Sequence, residues 1–104
     1  MNTENMTKMD AEALEALCEK KVLQKLKAES PVEVSMALSG RLKISIGENS
    51  YNFIFPGVRL DWFSHKGDYD DFVRVTTEID AVINENIELF ALLFWSYKNK
   101  EKLK

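Results

Sequence analysis

The period of the apolar residues changes twice along this chain, and those changes limit its fold more than any other feature. Ala13, Leu14, Leu17, Cys18, Val22 and Leu26 recur at steps of three and four, the spacing of one helix face. From Val32 to Trp62 the apolar residues recur at steps of two, the spacing of one face of a strand. From Ile79 onward, Ile79, Ile83, Ile87, Phe90, Phe94 and Tyr97 return to helical spacing. Pro31 marks the first change, because it disfavours helical backbone at Ser30. These signals predict a first helix over about residues 9–28, with Thr7 or Asp10 at its N-cap.

The middle reads as a meander of four short strands. Val32, Val34, Met36 and Leu38 alternate with Glu33, Ser35 and Ala37, and Ser39-Gly40 suits a two-residue turn. Leu42, Ile44 and Ile46 alternate with Arg41, Lys43 and Ser45, and Gly47-Glu48-Asn49-Ser50 reads as the second turn. Tyr51, Phe53 and Phe55 form a third strand, which Pro56-Gly57 interrupts. Val58, Leu60 and Trp62 alternate with Arg59 and Asp61 in a fourth. Short connections make neighbouring strands antiparallel, with one oily face and one polar face.

After the loop Ser64-His65-Lys66-Gly67 two readings compete. Asp68 caps a helix with Asp70 and Asp71 in its first turn, or Phe72–Val75 is a fifth strand and Thr77 caps the helix. Three acids in one turn favour the first. Asn84-Glu85-Asn86 is a weak point in the long helix that follows. The predicted architecture is α+β: an N-terminal helix, a four-stranded antiparallel meander and a long C-terminal helix packed on the sheet. The chain reads as a single domain over residues 1–104, with a frayed start at 1–8 and a basic end at 99–104.

Composition removes several function classes. A single Cys, at position 18, cannot form an internal disulfide, so no oxidised framework is expected. No apolar run approaches the ~20 residues that cross a bilayer, and the polar start Met1-Asn2-Thr3-Glu4-Asn5 lacks a signal-peptide layout. A cytoplasmic protein without membrane contact is the expectation. A net charge of −3 also argues against direct nucleic-acid binding, whose footprint is basic.

No catalytic pattern stands out. His65 is the only histidine, and beside Lys66 in a loop it reads as a solvated side chain. Asp61, Ser64 and Asp68 near it offer a poor metal set. Cys18 sits on the apolar helix face, where a thiol acts as a small inert hydrophobe. Asp70-Asp71 is explained by capping, and Gly47, Gly57 and Gly67 mark turns without any phosphate-cradling motif. The expectation is a non-enzyme with no metal and no cofactor.

Two surface features carry more information. Nine of the eleven residues from Ile87 to Tyr97 are apolar, and Leu89, Leu92 and Trp95 lie away from the Phe90/Phe94/Tyr97 side. The first helix can cover that second side, or a partner can. Asp71, Glu78 and Glu85 stand seven residues apart, about 10 Å along a helix, and Glu88 continues the row. Such a row is ordinarily the wet side of a helix, and it can also imitate phosphates. Residues 57–93 carry eight acids against three bases, while 94–104 carry four lysines against one acid, a distribution that also matches a helix dipole.

In size and charge the chain resembles small accessory, immunity-type and inhibitor proteins, a likeness of composition alone. The leading reading is a protein-interaction module that binds a protein partner or a second copy of itself. Leu92, Phe94, Trp95 and Tyr97 would anchor it, with Asp71, Glu78, Glu85 and Glu88 as its acidic flank. The alternative is a small-ligand-binding domain or enzyme with an aromatic pocket near Trp62 and His65.

Overall fold

A computed structural model describes residues 10–102, with the side-chain surroundings of residues 11–98. The start at 1–8, the Thr7 cap and Lys104 lie outside the described residues. Helix α1 (Asp10–Leu26) is followed by β1 (Val32–Met36), β2 (Arg41–Ile46), β3 (Asn49–Ile54) and β4 (Arg59–Ser64), then α2 (Tyr69–Glu85) and α3 (Ile87–Lys102). The strands form one antiparallel sheet in the order β1-β2-β3-β4, the meander that short connections impose.

Register explains the core. Val34, Ile44, Tyr51 and Phe63 pair across the sheet in one row, and Met36, Leu42, Phe53 and Leu60 in the next. The β1, β2 and β3 members of both rows are buried, together with Cys18 and Val22 of α1, Val75, Ile79, Val82 and Ile83 of α2, and Phe90 and Leu93 of α3. All three helices therefore feed one core. Burial pushes the Cys18 thiol up to about 12, so it stays protonated and serves as packing.

Four local details depart from the sequence reading. Strand β1 stops at Met36, and Ala37–Gly40 closes the turn through Gly40 N–H donating to the Ala37 carbonyl, so Leu38 lies exposed in the turn. Between β2 and β3 the turn is only Gly47-Glu48, with Gly47 at φ 60°, the left-handed backbone a primed turn requires. In β4 a bulge at Asp61 breaks the alternation: Phe53 pairs with Leu60 but Asn52 with Trp62. Leu60 and Phe63 consequently take the Phe53/Tyr51 side, Leu60 against the core and Phe63 half-exposed beside Phe72, and Trp62 goes to the other side with 56% of its surface exposed.

The fourth is the expected long C-terminal helix, which is two helices. Asn86 turns out of helical backbone at φ −121°, and its N–H and its side-chain Nδ2 both donate to the Val82 carbonyl. Its own carbonyl then accepts from Phe90 N–H, so one asparagine closes α2 and opens α3. At the other end of α2, Asp68 is the N-cap and accepts from Asp71 N–H at 2.8 Å, which settles the helix-or-strand alternative in favour of helix. Tyr97 contacts Glu15 near the start of α1 while Glu85 contacts Lys25 near its end. α3 therefore runs antiparallel to α1, which covers the Tyr97 flank and leaves Leu92 and Trp95 on the second side exposed.

α1 also ends before Pro31 acts on it. Lys27 adopts a left-handed φ of 52°, and Ala28 N–H donates to the Leu23 carbonyl, the closing bond of a Schellman cap. A residue with a Cβ is strained there, and glycine is not. Lys27→Gly should raise stability by about 0.5–1 kcal/mol in urea unfolding; a loss of stability instead would show that the lysine side chain contributes more than the backbone strain costs.

Candidate functional site

Two groups of residues merit a site's description, one buried and one exposed. The buried group centres on His65, whose side chain is only 4% exposed, so the expectation of a solvated loop histidine is corrected. Nδ1 of His65 lies 2.6 Å from the hydroxyl of Tyr51, itself fully buried in the middle of β3. Burial, and after it the Asp71 charge, push the Tyr51 phenol above its ordinary value, so it holds its proton. With a neutral imidazole, Tyr51 donates to Nδ1 and the ring proton sits on Nε2. Nε2 faces Asp71 Oδ2 at 3.3 Å, within ion-pair range but without the direction of a hydrogen bond.

Asp71 hands the connection on. Arg74 donates to its Oδ1 at 2.8 Å and approaches Glu78 at 3.5 Å. The Arg74 guanidinium holds the Asp71 carboxyl below its ordinary value, and the imidazole adds to the effect. Gly67 closes the loop over the ring: a Cβ there would lie 2.9 Å from His65 Nε2 and 3.2 Å from Asp71 Oδ2, and its φ of 148° suits glycine alone. Phe72 meets the ring edge-on at 5.5 Å.

A cleft of about 350 Å³ opens beside this chain of contacts, between the end of α1, β3 and α2. Lys27, Ser30, Asn49, Tyr51, Asp71 and Arg74 are in its wall. The Tyr51–His65–Asp71 order has the polarity of an acid–base relay, and Tyr51 borders the cleft while having no solvent-exposed surface. The arrangement acts as a clasp joining β3, the β4–α2 loop and α2. Trp62 and His65 are not brought together, because the bulge sends Trp62 to the opposite side of the sheet. Among the described residues, no three His, Cys, Asp or Glu side chains converge on a metal position.

The exposed group lies on α3. Phe90 and Leu93 are buried, and Phe94 packs edge-on against Phe55 at 5.8 Å. Tyr97 turns inward and donates to the Glu15 carboxylate; burial, then that carboxylate, push its phenol up to about 12. Leu92 and Trp95 point the other way, 53% and 61% exposed, with Glu88 and Ala91 exposed beside them. Lys98 borders the same face, its Nζ 4.9 Å from the centre of the Phe94 ring.

Asp71, Glu78 and Glu85 stay in line on α2, but the row is paired internally and does not run on to Glu88. Asp71 and Glu78 pair with Arg74, Glu85 pairs with Lys25 at 3.3 Å, and Glu88 stands on the next helix with no ion pair among the described residues. Sequence reasoning missed the Tyr51–His65–Asp71 clasp and the Tyr97–Glu15 bond. It also missed Glu19, whose carboxylate accepts from Val34 N–H at 3.0 Å and so covers the outer edge of β1. The partners in these contacts lie 6 to 82 residues apart in the chain, beyond any local pattern.

The chain matches no protein-family model, no curated protein and no solved structure.

Two outcomes test the clasp. Tyr51→Phe leaves His65 Nδ1 buried without its donor and should cost about 1–3 kcal/mol in urea unfolding; an unchanged midpoint would mean that the hydroxyl bond contributes nothing. Asp71 has a folded-state pKa below its unfolded value of 3.8, so its contribution is fully present above that value. That contribution is lost as pH falls through the depressed folded value. Asp71→Asn should therefore be less stable than wild type near neutrality and converge with it in strong acid, read from melting temperature against pH.

Proposed function

We propose that this chain is a non-enzymatic protein-interaction module whose binding element is the outer face of α3. The observation that supports the reading is the pair Leu92 and Trp95, more than half exposed on a helix whose other sides are already packed. An exposed tryptophan beside an exposed leucine is the residue pattern of an interface centre, since aromatic anchors dominate association energies. Of the four anchors read from sequence, Leu92 and Trp95 are available, while Phe94 and Tyr97 hold the helix to Phe55 and Glu15. Of the four acids, Glu88 is the one adjoining this face without an internal ion pair among the described residues.

The second reading, a small-ligand site, moves from Trp62 and His65 to the cleft walled by Tyr51, Asp71 and Arg74, whose volume of about 350 Å³ supports it. A broad ligand screen by thermal shift that yields a hit lost in Arg74→Ala would favour it over the interface.

The interface reading is tested with tagged wild type and the double variant Leu92→Glu/Trp95→Glu, checked for an unchanged melting temperature. Association of the wild type with any protein, itself included, should fall at least thirty-fold in the variant, about 2 kcal/mol. Equal association by the two folded proteins sinks the reading. So does a variant that unfolds, because Trp95 would then belong to the core.

A further inference from the structure

The exposed face of α3 is self-complementary when reversed, and we propose that its partner is a second copy of this chain, bound through an antiparallel α3 pair. This rests on the interface reading and names the partner of that same face. Glu88, Ala91, Trp95 and Lys98 are all exposed and follow one another at steps of three, four and three. That is the stripe spacing of paired helices, and it reads the same in either direction about residue 93. Glu88 and Lys98 each lie about 7.5 Å from that level along the helix, and Ala91 and Trp95 each about 3 Å.

A twofold axis at this level sets unlike groups opposite one another. Glu88 meets the partner's Lys98, and Lys98 meets the partner's Glu88. Trp95 lies over the partner's Ala91, whose small side chain leaves room for the indole, and Leu92 closes the middle. A parallel pair would set Glu88 against the partner's Glu88 and Trp95 against the partner's Trp95, so charge and shape both select the antiparallel arrangement. The opposed helix dipoles agree with it. Lys98 is held at the margin of the stripe by its contact with the Phe94 ring, so this cation is already placed before association. A single helix pair is a small interface, and small interfaces belong with weak association, of roughly micromolar order.

Sedimentation equilibrium of the purified full chain at low salt tests the proposal. The mass should approach about twice the 12.0 kDa chain at high concentration and fall to one chain on dilution. Trp95→Ala should weaken the dimer about thirty-fold. Glu88→Lys and Lys98→Glu alone each turn two attractive pairs into two repulsive ones and should weaken it about tenfold, an effect that shrinks in high salt. The combined variant Glu88→Lys/Lys98→Glu restores opposite charges across the axis and should recover wild-type affinity within about threefold. A wild type that stays monomeric overturns the proposal, as does a combined variant weaker than either single one. A monomeric wild type whose association with another protein still depends on Leu92 and Trp95 leaves the interface reading standing, which separates the two failures.

Discussion

The side chain of Tyr51 has no solvent-exposed surface, so its hydroxyl must be satisfied from within the protein, and that requirement organises one end of the molecule. A buried phenol without a partner costs about 1–3 kcal/mol. The partner is His65, delivered by the loop that follows β4. Once the ring is held there, Asp71 and Arg74 of the first turns of α2 complete a continuous polar path to the surface. The chain thereby fixes where α2 starts and how it lies on β3. Gly67 permits the close approach, since any side chain at that position would collide with the imidazole. The arrangement shares the polarity of an acid–base relay, with its terminal phenol on a side chain that has no solvent-exposed surface.

Asn86 has a comparable influence at the other end. A helix continuing straight from Asp68 to the last lysines would extend well past a sheet only four strands wide. By capping Val82 with its side chain, Asn86 stops α2 at Glu85 and lets α3 set off along α1. The break converts one apolar stripe into two: Ile79 and Ile83 remain with α2, while Phe90 and Leu93 enter the core from α3. It also ends the acidic row, since Glu88 belongs to a different helix from Asp71, Glu78 and Glu85.

The class of the fold was legible because it depends on periodicity, and periodicity is local. Helix, four strands and helical ending all follow from the spacing of apolar residues, and the choice of helix after Asp68 follows from three acids in one turn. The bulge at Asp61 was not legible, because β4 reads as a plain alternation and the extra residue appears only in its pairing with β3. That one residue moved Trp62 off the face shared with His65. The clasp was hidden for a related reason: His65, Tyr51 and Asp71 come from three separate elements, and no local pattern records that they converge. The exposed position of Leu92 and Trp95 was half legible. Spacing placed them off the Phe90 side of the helix, but only the antiparallel packing of α1 against α3 decides which flank is covered.

α3 is divided between a packed side and an exposed face, and the division has a physical logic. Phe94 and Tyr97 anchor the helix from one flank, through an edge-on ring contact and a hydrogen bond to α1. Phe90 and Leu93 anchor it from beneath. A helix tied down in this way presents Leu92 and Trp95 on a rigid support, so little side-chain and backbone freedom is left to lose on association. The same ties limit how the face can adapt. On the interface proposed for this face, a fixed backbone restricts partners to those whose shape and charge already match the stripe from Glu88 to Lys98. A rigid stripe with an anion at one end, a cation at the other and a large residue beside a small one between them is matched by its own reversed copy. Rigidity thus narrows the range of partners, and the order of four side chains narrows it further.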